Sequence, residues 1–324
     1  YFKSSDARKC SKYWNYLLVK NIKQISDYGF CNFKQTVAKN YFTFSQGILS
    51  EVYYGVIEDK RDVAVTNQRE YACPSSQLRK KHDFFTQDES VSFNVATFLL
   101  YDYVSSNYPS LLGSLEESDI GNPPSITLDG RRVTQDLLFS SLEFSSLIEG
   151  CGNTPSTVLE LGAGSGRFAE FFIKKSSPDK YVVADILPAL FVSQQYLSSV
   201  FADKKIFKYR NFSCFSDVEE EFSRADICFL MPDQLQMLPD KYFHAFIAID
   251  CLHEMKREVV AEYFELASRL AGYLYFKVWQ NTVVPFDEVR HEQNSYPIDC
   301  KWVTLFERDL VAPSSYYEAM YLLP

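Results

Sequence analysis

The run Thr157–Arg167, which reads TVLELGAGSGR, constrains the fold more than any other stretch of this chain. An apolar strand pattern contains Glu160 just before its end, and three glycines then alternate with other residues. Gly162, Gly164 and Gly166 lack a Cβ, so they can adopt positive φ and let the backbone touch a bound ligand. A strand, a glycine turn and a helix in this order predict a site for a nucleotide-containing cofactor.

The residues around the glycines distinguish between two classes of cofactor. A dinucleotide site has G-x-G-x-x-G spacing, whereas the spacing here is G-x-G-x-G and Glu160 precedes it. A carboxylate there would repel a pyrophosphate, and it would suit the ammonium and sulfonium groups of S-adenosylmethionine (SAM). Asp185 ends the next apolar run, about twenty residues after Gly166, where a ribose-binding acid belongs. The sequence therefore predicts SAM, with S-adenosylhomocysteine as product, and leaves a dinucleotide variant as the alternative.

Composition and charge disfavour several partners. A net charge of −9 argues against nucleic acid, whose phosphates require a surplus of lysine and arginine on one face. No apolar run reaches the ~20 residues of a membrane span, and the first residues lack a signal-peptide pattern. The 8 cysteines include no C-x-x-C pair, which predicts reduced thiols, no metal site and a cytoplasmic location. The chain begins with Tyr1, so a longer parent polypeptide is compatible with it.

Residue periodicity predicts two regions. Residues 1–150 are expected to be mostly helical and to cover the cleft, and residues 151–324 are expected to form the SAM-binding domain. The turn-rich stretch 119–132 is interpreted as a structured loop or short hairpin. The predicted helices of the first region are Arg8–Asp27, Glu89–Ser105 and Thr134–Glu149. The apolar faces that predict the first two helices are Trp14, Leu17, Leu18, Ile22 and Ile25, and Val91, Val95, Phe98 and Leu99.

The second region alternates strands and helices, which predicts an α/β fold with a doubly wound, mainly parallel, Rossmann-like sheet. The predicted strands are Thr157–Leu161, Tyr181–Ile186, Asp226–Met231, Ala245–Asp250, Tyr273–Trp279 and Tyr316–Leu323. The predicted helices are Arg167–Lys175, Pro188–Phe201 and Arg257–Ala271. Ligands of such sheets bind beyond the carboxyl ends of the strands, so the residues that follow the strands should ring one cleft.

The predicted cofactor contacts come from those strand ends. Residues 231–234 offer an apolar surface for an adenine face and polar groups for its edge, although a plain β-turn is equally compatible with them. The residues expected to contact SAM are Glu160, Gly162, Ala163, Gly164, Gly166, Asp185, Ile186, Met231, Gln234 and Asp250.

His253 is the predicted general base. Methyl transfer to a hydroxyl needs a proton acceptor, and an imidazole at the loop after the fourth strand can act near neutral pH. The alternative is a capping or buried histidine. Glu254 would orient that imidazole, bind a substrate hydroxyl or, as the preferred interpretation, favour the start of the next helix through its dipole. The polar insertion Asn281–Cys300 is interpreted as a lid over the acceptor or a surface loop, with His291 and Tyr296 as acceptor contacts.

Several longer motifs carry a family resemblance. They are Leu159–Arg167, Ala184–Leu190, Ser193–Leu197, Leu252–Met255, Tyr275–Trp279 and Tyr317–Met320, with Gly121–Pro124, Gly130–Arg131 and Gln135–Asp136 upstream. On these motifs the chain resembles, over most of its length, the bacterial sugar O-methyltransferases found with capsule and lipopolysaccharide biosynthesis genes. The resemblance implies a SAM-dependent fold, a carbohydrate acceptor that is a nucleotide sugar or a surface glycan, and cofactor contacts at Glu160, Gly162 and Asp185.

The resemblance also implies that the upstream loop Gly121–Asp136 borders the cleft. Arg131 and Gln135 there are candidates for contacts with the cofactor carboxylate or the sugar, with a structural role as the alternative. Relatives tend toward Asn or Ser where this chain reads Asp250-Cys251 before the Leu-His pair. Asp250 could ligate Mg²⁺, but one carboxylate is no site, so no metal is predicted.

Two rival functions stay open at this point. One is methylation of an amine or a carboxylate of a small molecule, where His253 would matter little. The other is a catalytically inert SAM-fold module that binds a partner in a surface-polymer assembly complex. Aromatic residues exposed on the helical half would favour a homodimer.

Overall fold

The structure is a computed structural model that describes residues 11–41, 48–56, 83–113, 115–128, 130–284 and 286–324. Two sequence predictions lie outside these residues: the start of the first helix at residues 8–10, and the state of Cys10 and Cys73. The 6 cysteines described are all free thiols.

The first region is mostly helical, as predicted. Its helices are α1 (Lys12–Tyr28), α2 (Val37–Tyr41), α3 (Ile48–Val56), α4 (Gln87–Asn107), α5 (Pro109–Leu112) and α6 (Gln135–Cys151). The stretch 119–132 contains the hairpin that the sequence suggested, and its strands are β1 (Ile126–Leu128) and β2 (Arg131–Val133). Ser11 caps α1 by accepting a hydrogen bond from the backbone N–H of Trp14, and a Thr86–Glu89 capping box starts α4.

The buried faces of α1 and α4 differ from the predicted ones. In α1 the buried residues are Tyr13, Leu17, Asn21 and Gln24, while Ile22 is exposed. Polar side chains occupy this face because Asn40 donates to both Asn21 Oδ1 and Gln24 Oε1 at 2.5 Å. In α4 the buried residues are Ala96, Thr97, Leu100 and Val104, and the side chains of Val91, Val95 and Phe98 are exposed. Helical periodicity found both helices. It misassigned the buried face of α4, and in α1 it missed the buried polar residues and included the exposed Ile22.

The second region contains the predicted doubly wound sheet. Eight strands pair in the order β11-β12-β8-β7-β3-β4-β6-β5. The strands of the sheet are β3 (Thr157–Leu161), β4 (Lys180–Ala184), β5 (Ile206–Phe207), β6 (Ile227–Leu230), β7 (Phe243–Ile249), β8 (Ala271–Trp279), β11 (Val303–Asp309) and β12 (Tyr316–Leu322). The pairings from β5 to β8 are parallel, and β12 and β11 add antiparallel strands at one edge. A small separate hairpin consists of β9 (Asn281–Val283) and β10 (Arg290–Glu292).

Helices cover both faces of the sheet. The remaining α-helices are α7 (Arg167–Ser176), α8 (Ala189–Val200), α9 (Glu219–Arg224) and α10 (Arg257–Leu270). Alternate residues of the strands other than β11 enter two buried clusters: one contains residues of α6, α7 and α8, and the other contains residues of α9 and α10. The first cluster also includes Phe33, Val52 and Leu100 of the helical region, so the two regions share a core. α6 crosses the predicted boundary at residue 150, and the division into two domains stays a prediction.

β3 pairs with β4 on one side and with β7 on the other, and the chain crosses from β6 back past β3 to β7, so the strand order reverses at β3. Ligands of open α/β sheets bind at such a point, beyond the carboxyl ends of the strands. The glycine turn that follows β3 therefore occupies the position where this architecture places a ligand.

The variant Gly55→Ala tests how the helical region packs against the sheet region. A Cβ at Gly55 in α3 would overlap the carbonyl oxygen of Val311, so Gly55→Ala is expected to lower the free energy of unfolding by about 1–3 kcal/mol. Urea unfolding measures this change. The control is Gly272→Ala, whose Cβ would lie 3.5 Å from the carbonyl oxygen of His244, an ordinary contact. Equal unfolding midpoints for the two variants would contradict this packing.

Candidate active site

The main cavity lies at the carboxyl ends of β3, β4, β6 and β7, and the glycine turn forms part of its wall. Gly162 and Gly164 line it, and the φ angles of Gly162, Gly164 and Gly166 are 71°, 60° and 88°. These angles favour glycine because other residues rarely adopt them. A Cβ at Gly162 would come within 2.5 Å of the Cβ of Cys251. A side chain at position 162 would therefore collide with Cys251.

Asp185, just beyond β4, holds the glycine turn in place through a hydrogen bond to its backbone. Its Oδ2 accepts a hydrogen bond from the N–H of Gly164 at 2.8 Å, and its Oδ1 accepts one from the N–H of Ile186 at 2.7 Å. Burial raises the pKa of Asp185 to about 7, although these two hydrogen bonds oppose the shift. Each carboxylate oxygen of Asp185 can accept one further hydrogen bond, for example from a hydroxyl group of a ligand.

The main cavity is strongly acidic. Five carboxylates line it, and no lysine, arginine or histidine is among its lining residues in the described part of the chain. The five are Asp185, Asp233, Asp250, Glu254 and Glu262. An anionic ligand would be repelled here, and a cationic one would be attracted.

The N-terminal helix contributes to the main cavity. Ser11 and Trp14 line it, and Trp14 Nε1–H donates a hydrogen bond to Glu254 Oε2 at 2.9 Å. Burial raises the pKa of Glu254 to about 8, with further contributions from Asp250 and Asp185, while the bond from Trp14 lowers it. The backbone N–H of Lys12 donates to Asp287 Oδ2 at 2.7 Å, which connects the start of α1 to the insertion.

Seven of the predicted site residues line the main cavity, and one other borders only a second cavity. The seven are Gly162, Gly164, Asp185, Ile186, Met231, Asp250 and Glu254, and the one is Gln135. The other predicted cofactor contacts are outside the lining of the main cavity. They are Glu160, Ala163, Gly166 and Gln234. Gln234 instead accepts a hydrogen bond from Met231 N–H and donates one to the carbonyl of Arg210.

His253 does not border either cavity. Its side chain is 4% exposed, and its Nδ1 accepts a 3.5 Å hydrogen bond from the backbone N–H of Trp279. Its ring packs near those of Trp279 and Tyr316, and burial lowers the pKa of His253 to about 3. The imidazole is therefore neutral at neutral pH, but a base must also reach the proton that it accepts. The geometry favours the alternative of a buried histidine, and the catalytic role stays a prediction.

The predicted acceptor contacts are mostly packed elsewhere. His291 Nε2 lies 2.7 Å from the carbonyl oxygen of Met255, and its ring stacks on Tyr296, which packs against Phe264. Arg131 donates to the carbonyl oxygens of Gly113 and Leu115 beside the β1–β2 hairpin. This packing favours the structural alternative, and within the described residues the insertion lines neither cavity. The roles of these residues as acceptor contacts stay predictions.

A buried ionic network lies beside the main cavity. Arg167 donates to both carboxylate oxygens of Glu143, and Lys277 Nζ donates to Glu143 Oε1 at 2.8 Å. Arg167 and Lys277 also reach Asp250 Oδ2, at 3.3 Å and 3.5 Å. Burial raises the pKa of Asp250, while the two cations oppose the shift.

Sequence reasoning missed one wall of the main cavity. Val259, Glu262, Tyr263 and Leu266 of α10 line it at helical spacing, and Trp14 closes it from α1. The i, i+3, i+4 and i+7 pattern in α10 was visible in the sequence, but nothing local distinguishes a cavity wall from a core face. Trp14 comes from the other end of the chain.

Glu160 makes the stability of the protein depend on pH. Its carboxyl accepts a 2.8 Å hydrogen bond from Tyr181, and burial raises its pKa from an ordinary 4.5 to about 8. Folding therefore takes up a proton between pH 4.5 and 8, so this contribution to stability falls as pH rises through that window. Glu160→Gln is expected to remove a slope of roughly 1.4 kcal/mol per pH unit from the free energy of unfolding.

Urea unfolding between pH 5 and 8 measures that slope. The exposed Glu258→Gln on α10 is the matched control and should leave the wild-type curve unchanged. Parallel curves for the wild type and Glu160→Gln would contradict the protonated state of Glu160.

The described residues contain neither a metal-binding cluster nor a membrane-spanning helix. No cluster of three or more histidine, cysteine, aspartate or glutamate side chains is arranged to hold a metal ion. No helix in this part of the chain combines the length and the apolar character that a membrane crossing requires.

Comparison with known proteins gives partial structural matches. No protein-family model matches this chain, and no curated protein matches it. A protein from Pyrococcus horikoshii OT3 is 14% identical, with a TM-score of 0.40, and the match covers 57% of this chain and 91% of that one. A SAM-dependent methyltransferase from Aquifex aeolicus is 12% identical, with a TM-score of 0.38, and the match covers 57% and 93%. Mitomycin 7-O-methyltransferase is 9% identical, with a TM-score of 0.37, and the match covers 59% and 56%.

Proposed function

We propose that this chain is a SAM-dependent methyltransferase. The observation that carries the proposal is the main cavity, in which five carboxylates and no basic side chain of the described residues surround a glycine turn. SAM carries a sulfonium and an ammonium group, whereas a dinucleotide carries a pyrophosphate. Charge alone therefore favours SAM in this cavity over a dinucleotide.

The residues around the cavity suit different parts of that cofactor. Asp185 has lone pairs available for ribose hydroxyls, and the positive φ of Gly162 and Gly164 leaves the backbone open to close approach. Met231 and Leu266 offer apolar surface for a base. Glu254, whose pKa burial raises to about 8, lies in the same cavity, and a bound cation would favour its charged form. When bound, SAM supplies an electrophilic methyl group on its sulfonium. The chain's part is to hold the acceptor in line and to take up a proton.

The finer proposal is methylation of a hydroxyl of a sugar, either a nucleotide sugar or a surface glycan. The motifs Ala184–Leu190, Ser193–Leu197 and Leu252–Met255 support it through the family resemblance. An acidic cavity is also compatible with a hydroxyl acceptor, because carboxylate oxygens accept hydrogen bonds from hydroxyl groups.

Methyl transfer with labelled SAM tests this function and its rivals. The purified chain is incubated with tritiated-methyl SAM and a panel of nucleotide sugars, uronic acids and amino sugars, and the products are treated with mild alkali. A methyl ether on a neutral sugar keeps its label and is the expected product. Label that alkali releases identifies a carboxyl methyl ester, and label found only on amino sugars at nitrogen identifies N-methylation. Failure to bind SAM would favour the inert module.

A further inference from the structure

A second cavity lies next to the main cavity, between the helical region and the sheet. Its lining includes Phe93 of α4, Phe139 and Asp136 of α6, and Pro124 of the loop before β1. Asp250 is the one described residue that lines both cavities. A molecule in the second cavity and a molecule in the main cavity would therefore both border Asp250.

The basic groups of the second cavity are already engaged by the protein. Lys34 forms an ion pair with Glu117 and donates to the hydroxyl of Tyr196, and Lys39 forms an ion pair with Glu89. Arg167 and Lys277, which also line this cavity, form ion pairs with Glu143. The positive charges of these four groups are balanced by Glu117, Glu89, Glu143 and Asp250, so the described lining presents no unbalanced cation to an anion.

The acceptor groups of the second cavity are not all engaged. Glu117 Oε2 and Asp250 Oδ1 are both buried and have no hydrogen-bond donor. A buried oxygen without a donor is costly, so a ligand that donates hydrogen bonds gains binding free energy here. Phe93 and Phe139 add aromatic faces beside these oxygens. The complementary ligand is a neutral or cationic molecule that carries hydroxyl groups. Of the two acceptors proposed above, this favours a neutral or amino sugar of a glycan over a nucleotide sugar, whose pyrophosphate is anionic.

Asp250 has the geometry of a strained functional residue. Its φ is 59°, an unusual value for a residue other than glycine, and its side chain is 10% exposed. Oδ2 is held by Arg167 and Lys277, while Oδ1 is buried and has no hydrogen-bond donor. One oxygen is thus held in place while the other is unoccupied.

We propose that the second cavity receives the methyl acceptor and that Asp250 Oδ1 takes the proton of its hydroxyl group. This inference rests on the proposed methyltransferase function and adds to it the location of the acceptor and the identity of the base. The hydroxyl oxygen forms a bond to the methyl carbon as the carbon–sulfur bond breaks, and the electron pair of that bond stays on sulfur. The hydroxyl proton passes to Asp250, so the positive charge of the sulfonium and the negative charge of the carboxylate are both neutralised.

The acceptor cavity is tested by ligand binding in the presence of S-adenosylhomocysteine. Saturation-transfer difference NMR compares methyl α-D-glucopyranoside, methyl α-D-mannopyranoside and D-glucosamine with glucose 6-phosphate and glucuronate. The neutral and cationic sugars are expected to bind, and the two anionic sugars are not. Phe93→Ala should remove the signal, whereas Phe98→Ala, exposed on the same helix, should leave it unchanged. Preference for an anionic sugar, no binding at all or a signal unaffected by Phe93→Ala would overturn the assignment.

Asp250→Asn tests the base. Asparagine tolerates positive φ, so the backbone conformation should persist. The rate of methyl transfer to the sugar that binds is expected to fall about 100-fold, while the Kd for S-adenosylhomocysteine stays within about threefold. His253→Asn is the comparison and should retain most of the rate. An unchanged rate for Asp250→Asn, a loss confined to His253→Asn or a bound sugar that is never methylated would overturn the proposal. Absence of S-adenosylhomocysteine binding in the wild type would instead refute the methyltransferase function itself.

Discussion

Replacing Asp185 by alanine is expected to weaken S-adenosylhomocysteine binding by about 1000-fold. The variant loses the carboxylate proposed to bind two ribose hydroxyls, and each hydrogen bond to a charged group contributes about 1.5–3 kcal/mol. It also deprives the N–H groups of Gly164 and Ile186 of their acceptors, which loosens the glycine turn that forms the cavity wall. Isothermal titration calorimetry measures the change in Kd.

Asp233→Ala is the matched control for Asp185→Ala. Asp233 lines the same cavity but is exposed, so its removal changes the charge of the cavity without disturbing the turn. We expect a loss of less than about fivefold, since interactions with exposed charges are weak. Equal losses for the two variants would mean that only the overall charge matters, which would contradict a specific role for Asp185.

Replacing Gly162 by alanine is expected to weaken S-adenosylhomocysteine binding about 100-fold and to lower stability. The new Cβ would lie 2.5 Å from the Cβ of Cys251, and neither backbone can move away without displacing the cavity wall. The φ of 71° adds a strain of about 1–2 kcal/mol for a residue with a side chain. Calorimetry and thermal unfolding together report both effects.

Gly152→Ala is the control that separates the effect of the collision between position 162 and Cys251 from the effect of positive φ. Gly152 ends α6 with a φ of 70°, and a Cβ there would meet nothing within 4 Å. This variant should show the loss of stability that comes from positive φ and no change in Kd. A similar Kd for Gly162→Ala and Gly152→Ala would show that the glycine turn does not contact the ligand.

The sheet could be predicted because its signals are local. The five residues of β3 and the start of α7 at Arg167 were predicted without error, since an apolar run ends there in a glycine turn. The edge strand β11 was missed, because most of its residues are exposed and no buried face gives a pattern. The polar residues of the buried face of α1 were missed, because Asn21 and Gln24 are satisfied by Asn40, a contact that no helical pattern reveals.

The candidate site could be predicted where its residues follow strands directly, as Asp185 and Asp250 do. The positions of His253 and Glu254 depend on a detail that sequence does not show. Both belong to the 3₁₀ turn Leu252–Glu254, in which consecutive side chains point about 120° apart. Glu254 therefore borders the main cavity while His253 packs beside Trp279. Trp14 was unpredictable as a cavity residue because it lies 240 positions from its partner Glu254.

Predictions about partners remain open. The homodimer, the cytoplasmic location and the absence of a nucleic-acid partner stay predictions from composition. Tyr16, Phe84 and Phe98 are exposed on the helical region, and sedimentation of the purified chain would report its oligomeric state.

The central claim is that the acidic glycine-lined cavity binds SAM. Calorimetric titration of the wild-type chain with S-adenosylhomocysteine, and separately with NAD⁺, tests it most directly. We predict a Kd on the order of 1–100 μM for S-adenosylhomocysteine and no detectable heat with NAD⁺. Binding of NAD⁺ without binding of S-adenosylhomocysteine would contradict the account, because it would mean that the five carboxylates do not determine which cofactor enters.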